Sequence, residues 1–142
     1  MRLRDDGFTL IELLVVIVII GVLAAVVAPR FLGRTDQAKV AAAQAQIENL
    51  SLALDSYQLD TGEYPSTQQG LAALLDKPSG TPEAKGWRGP YLKKKTLPDD
   101  PWGNPYVYVS PGKENPKEYD LVSYGRDGRE GGDEDDADIV SW

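Results

Sequence analysis

From Leu13 to Ala28 the chain runs for 16 residues without a charged or polar side chain. Extended back to Phe8, the apolar segment is 21 residues long, interrupted only by Thr9 and Glu12. A helix of about 20 mainly apolar residues crosses a bilayer core. A soluble domain could bury such a helix only inside a large core, and the 111 residues after Phe31 are too few to surround it. The segment therefore predicts a membrane-bound helix. A cleaved secretory signal is the plainer alternative, but it has an apolar core of about 7–15 residues followed by a small-residue cleavage site. Here the core is longer and no convincing site of that kind follows it, so a retained helix fits better.

The rest of the chain is polar, and its length suits one small domain. The formal charge is −7, and there is neither a cysteine nor a histidine. That composition leaves no disulfide framework and no thiolate metal site. It also removes the commonest general base, so neither a Ser-His-Asp nor a Cys-His catalytic system can be built. Carboxylates remain as the plausible acid–base groups, and they crowd onto one loop. No enzyme activity is expected. The acidic balance argues against a nucleic-acid partner, which calls for a basic patch.

Pro29 lacks a backbone donor and predicts a kink near Ala25 to Arg30. Beyond it, Ile47, Leu50, Leu54 and Tyr57 recur at three- and four-residue steps, the mark of an amphipathic helix. Ala41, Ala42, Ala43 and Ala45 favour helix without adding bulk. The stop is "DTGEYP", where Gly62 can supply a left-handed cap and Pro65 cannot continue. A long kinked helix from Phe8 to about Asp60 results. "TQQGLAALLDK" predicts a further short helix. The stretch rich in Pro and Gly that follows reads as an ordered loop anchored by Trp87, Tyr91 and Trp102, with disorder as the alternative. Lys93 to Lys95 read as a solvated face, or else as a contact for acidic groups on a neighbouring subunit. "PYVYVSP" and "EYDLVSYG" are strand candidates, the first with Tyr106 and Tyr108 alternating with Val107 and Val109.

"GRDGREGGDEDDADI" holds seven carboxylates between Asp127 and Asp138, with Arg129 as the one basic residue in that interval. Four glycines let the backbone turn tightly. Hard oxygen donors on a turning loop suit Ca²⁺, which takes about six to eight of them, better than the stricter Mg²⁺. The EF-hand pattern does not match, because Arg129 stands where the third-position ligand belongs. Composition alone leaves a calcium site and a solvated acidic tail equally open.

"GFTLIELLVVIVIIGVLAAVVAPRF", Gly7 to Phe31, resembles the N-terminal signature of type IV pilins and type II secretion pseudopilins. "TGEYPSTQQGLAALL", "GWRGPYLKK", "LPDDPWGNPYVYVSPG", "YDLVSYGRDGREGG" and "ADIVSW" are similar to the major pseudopilins of type II secretion. The resemblance covers nearly the whole chain. It implies an α+β, type IV pilin-like fold: a long N-terminal helix packed on a small antiparallel sheet, with a C-terminal calcium loop. The implied divisions are a leader over residues 1–7, a transmembrane assembly helix over 8–30 and a periplasmic head over 31–142. Within the head, the scaffold helix covers about 35–60 and the calcium loop about 124–138.

In such a protein a prepilin peptidase cuts between Gly7 and Phe8 and methylates the new N-terminus. Glu12, four residues on, would pair with the Phe8 amine of a neighbouring subunit and set the assembly register. A charge in a bilayer costs about 2.5–3.5 kcal/mol and is seldom idle. The alternative is a glutamate that snorkels to the interface. The positive-inside count is nearly balanced, so a single-pass inner-membrane orientation with a periplasmic head rests on the resemblance. The implied Ca²⁺ ligands are Asp127, Asp135 and Asp138, with main-chain carbonyls from Tyr124 and Arg129. The implied partners are further copies of the chain in a pseudopilus, minor pseudopilins, the inner-membrane assembly platform, the prepilin peptidase and the membrane. An adhesive type IV pilin or a membrane-anchored calcium-binding module remains the alternative, although pilins often close a C-terminal loop with a disulfide, which this chain cannot form.

Overall fold

The computed structural model describes residues 7–142, apart from the side chains at positions 30–33 and 135. All of the expected leader except Gly7 lies outside these residues. One helix, α1, runs over Leu10–Thr61 and includes Pro29. The chain divides into two compact units, Met1–Asp36 and Gln37–Trp142, so α1 contributes residues to both.

In the first unit every residue from Gly7 to Pro29 is exposed. Among the described residues, the apolar stretch is thus a helix whose side chains are left exposed.

The second unit has a core of its own. From α1 it takes Ala43, Ile47, Leu50, Ala53, Leu54 and Tyr57, the three- and four-residue pattern legible in the sequence. The helix stops at Thr61, where Gly62 takes φ 92° and donates to the Gln58 carbonyl at 2.7 Å. The next apolar cluster forms a single 3-10 turn over Leu71–Leu74 in place of the expected short helix. Its first residues follow Gly70 at φ 61°, a backbone that ends one turn and starts another. Leu71, Ala73 and Leu74 nevertheless reach the core.

The Pro- and Gly-rich loop is ordered by its aromatic residues. Trp87 donates Nε1–H to the Ala73 carbonyl at 2.9 Å, and the Tyr91 hydroxyl donates to Asp60 at 2.9 Å. Tyr91 stands edge-on to both Tyr57 and Trp87, at 5.7 Å and 5.8 Å between ring centres.

Three antiparallel strands form one sheet in the order β1 (Val107–Val109), β2 (Asp120–Ser123), β3 (Ile139–Val140). The pairs Tyr108 with Leu121 and Ser123 with Ile139 fall on the core side. The two-residue period puts Val107, Val109, Asp120, Val122 and Val140 on the opposite side. The third strand was not foreseen in the sequence. Its presence makes the acidic segment a connection between two paired strands, where a segment beyond the last strand was expected.

Candidate functional site

Two places carry the residues singled out in the sequence. At the first, Gly7 and Phe8 precede α1, and Phe8 is 86% exposed. Thr9 accepts the first helical bond, from Leu13 N–H at 3.2 Å. Its own N–H and hydroxyl both donate to Glu12 Oε2 at 3.0 Å, while Glu12 N–H donates back to the Thr9 hydroxyl at 3.3 Å. This is a capping box, in which Thr and Glu three residues apart satisfy each other's orphan donors. The T-x-x-E spacing announced it, but the sequence reading gave Thr9 no role. Glu12 is exposed and lies one turn from Phe8.

The second place is the acidic connection from β2 to β3. Tyr124 continues the outer side of β2 and Asp138 leads into β3 on that same side. Both line a cleft of 160 Å³ together with Glu130, Asp120, Lys113, Val122 and Trp142. Asp138 Oδ2 accepts the Gly131 N–H at 2.9 Å, whereas its Oδ1 is buried and has no hydrogen-bond partner. Burial pushes the Tyr124 phenol up, and the Glu130 and Asp138 carboxylates add to the shift. Tyr124, Glu130 and Asp138 are therefore brought together.

Asp127 and Arg129 are not among the residues lining that cleft. Both are exposed, and Asp127 Oδ1 accepts the Arg129 N–H at 3.1 Å, closing a tight turn. Asp136 pairs with Arg126 at 2.8 Å, so one carboxylate of the run already has a cation. The Asp135 side chain, an expected ligand, lies outside the described residues; its backbone belongs to a 3-10 turn over Glu134–Asp136. Among the described residues no group of three or more acidic side chains is gathered closely enough to hold a metal ion. Glu130 was counted in the acidic run but given no part in the site, because its place beside Asp138 depends on the loop's path.

That path is set by close approaches. Gly125 has φ 65°, and a Cβ there would stand 3.0 Å from the Ala137 carbonyl oxygen. Gly132 has φ 97°, and a Cβ there would collide with the Asp136 carbonyl. Gly125 lets the beginning of the connection pass its end, and Gly132 lets its middle fold onto the Glu134–Asp136 turn. On the inner side, buried Ser123 donates its hydroxyl to buried Asp100 at 2.6 Å and accepts the Gly125 N–H at 3.2 Å. Asn104 Nδ2–H donates to the Gly125 carbonyl at 3.2 Å.

Comparison with known proteins agrees with this architecture. Residues 30–142 match the family model described as "Type II secretion system (T2SS), protein G", and residues 2–28 match "Prokaryotic N-terminal methylation motif". The chain is 55% identical over 142 residues to the type II secretion system core protein G of Pseudomonas aeruginosa, covering 99% of this chain and 97% of that one. It is 46% identical over 140 residues to the protein of the same name from Vibrio cholerae, covering 98% and 92%. Among solved structures, the major pseudopilin from the type 2 secretion system of enterohaemorrhagic Escherichia coli matches with a TM-score of 0.66 and 36% identity, over 78% of this chain and 92% of that one. A family match from residue 30 to the last residue, relatives of nearly equal length and a shared fold leave one assignment: the chain belongs to the type II secretion system protein G family, the family of the major pseudopilin.

Proposed function

We propose that the chain is anchored in the bacterial inner membrane by residues 8–30 and polymerises through that helix into a periplasmic pseudopilus with the 31–142 head outside the membrane. The observation that carries this reading is the complete exposure of Gly7 to Pro29 in a helix long and apolar enough to span a bilayer. Exposed in water, each Val, Leu, Ile and Phe of that stretch would forfeit about 1.5–3 kcal/mol of burial, so lipid or neighbouring subunits must cover them. Cutting between Gly7 and Phe8 frees an amine one turn from Glu12, and pairing of Glu12 with that amine on a neighbour sets the register. Minor pseudopilins, the assembly platform and the prepilin peptidase are the partners of this reading, and the subunit performs no catalysis itself.

The decisive experiment is expression of the chain in a secreting bacterium whose own major pseudopilin gene has been deleted. The chain restores export of folded proteins, and on overproduction forms fibres visible by electron microscopy. Expression at normal levels with neither export nor fibres rejects the reading.

The chemistry of the acidic connection fits calcium. Its donors are all oxygens, and Asp138 Oδ1 is a buried acceptor without a donor. Asp138 and the Tyr124 carbonyl, with Glu130 beside them as a further candidate, would hold the ion in the cleft. Asp127 and the Arg129 carbonyl, expected from the sequence, would have to close onto it from the exposed turn, joined by Asp135. The ion supplies positive charge to a loop whose carboxylates otherwise repel one another. Binding to the folded state alone stabilises by about 2.7 kcal/mol at a hundredfold excess over Kd. Full-length protein in detergent micelles therefore melts several degrees higher in calcium than in chelator. Coincident melting curves reject the calcium site and leave an acidic surface loop.

A further inference from the structure

We infer that Asp100 is a positioning residue of the cation loop, acting through Ser123 and Gly125 and assisted by Asn104. The inference rests on the calcium reading above and concerns residues outside the acidic run. Asp100 is 4% exposed, and among the described residues its carboxylate accepts from Trp102 N–H, Asn104 N–H and the Ser123 hydroxyl. Oδ1 accepts from Trp102 N–H at 3.0 Å and Asn104 N–H at 2.8 Å, which folds the turn on itself. The turn is closed again by Asp100 N–H on the Asn104 carbonyl at 2.8 Å.

Oδ2 is left for one partner, the Ser123 hydroxyl at 2.6 Å. A carboxylate is an acceptor only, so it forces the serine proton toward itself and leaves the serine oxygen as an acceptor. That oxygen takes the Gly125 N–H. From the other side Asn104 Nδ2–H takes the Gly125 carbonyl, so both polar groups of Gly125 are tied to the 100–104 turn. Gly128, further along the loop, also lies against Asn104: a Cβ there would come within 3.3 Å of the amide.

Gly125 is where the strand becomes the loop. It follows Tyr124, and its bare Cα faces the Ala137 carbonyl, next to Asp138. Fixing Gly125 therefore fixes the beginning of the loop against its end. An isolated acidic loop would pay for that convergence in conformational freedom at each binding event; the 100–104 turn supplies it beforehand. Groups that orient ligands in this way typically change metal affinity about 10–100-fold when removed.

The test measures calcium binding by isothermal titration calorimetry on the full chain in detergent, alongside melting curves in chelator. Asp100→Asn replaces the Oδ2 acceptor with a donor facing Ser123, and Asn104→Ala removes the amide on Gly125 while keeping the backbone of the turn. Each weakens calcium binding about tenfold or more. The control is Tyr108→Phe, which loses a buried hydrogen bond of 2.7 Å to the Pro65 carbonyl, away from the loop. It lowers the melting temperature in chelator and leaves the calcium Kd unchanged. If Asp100→Asn does not fold, Asn104→Ala at its half-buried position carries the test. Wild-type affinity in the folded variants overturns the inference and leaves the calcium site standing. No calcium binding by the unaltered chain overturns both.

Discussion

Asp120 and Asp138 stand on the same side of the sheet with opposite provision. Asp120 accepts three backbone donors, from Lys113 at 2.6 Å, Glu114 at 2.9 Å and Asn115 at 3.0 Å. Burial pushes its carboxyl up, but those three donors outweigh burial and hold it below the usual range. A carboxyl lowered in the folded state contributes stability above its unfolded pKa of about 3.9, which is lost as pH falls through the folded value. Asp120→Asn is therefore less stable than wild type near pH 7 by about 1–3 kcal/mol, and the gap narrows below pH 4. Melting curves between pH 7 and pH 3 check this; a gap that stays constant rejects the assignment. Glu12 is the other decisive single residue. Glu12→Leu removes the carboxylate from an apolar helix, so membrane insertion persists while cross-linked multimers and export disappear. Normal multimers in that variant favour a snorkelling glutamate. Glu12 stands out in the sequence because it is the one charge in such an apolar stretch. Its cap on Thr9 could be read from spacing, while the Asp100–Ser123–Gly125 chain could not: it joins the 100–104 turn to the end of β2 across more than 20 residues, and no local spacing marks that pairing.

At the scale of elements, legibility followed periodicity. The α1 core stripe of Ile47, Leu50, Leu54 and Tyr57 was readable because four buried residues repeat in phase. β1 and β2 were readable from alternation and aromatic content. β3 is two residues long, too short for any period, and its pairing with β2 comes from the loop that returns it. The 3-10 turn at Leu71–Leu74 carried a helical apolar pattern, but Gly70 and the next turn leave it no length to propagate. The stripe also predicts where the second unit is weakest. Leu54 is fully buried, and Leu54→Ala leaves a cavity that costs about 2–5 kcal/mol. Urea unfolding of the detergent-solubilised chain shows the lower midpoint. Leu52→Ala, two residues away and 64% exposed, changes it little. Equal losses for the two substitutions reject the assigned helix face.

Over the whole molecule, the chain combines a unit that has a core with a unit in which no described residue is buried. The processing motif predicts that protein extracted from membranes begins with N-methyl-Phe8, which N-terminal mass spectrometry reads directly. An intact Met1, or a cut beyond Ala28, rejects that processing. The absence of packing around Gly7 to Pro29 has a thermodynamic corollary for the proposed fibre. The helix satisfies its own backbone apart from its ends and the bond lost at Pro29, so changing its surroundings requires no unfolding. Acyl chains are about as apolar as leucine side chains, so there is no hydrophobic driving force between helices in lipid. Passage from bilayer to fibre interior is then a solvent exchange close to balance, free of the large penalty that water would impose. A small bias at each step, whether one ion pair or one stroke of an external motor, is enough to set its direction, and withdrawal of that bias lets the subunit return to lipid.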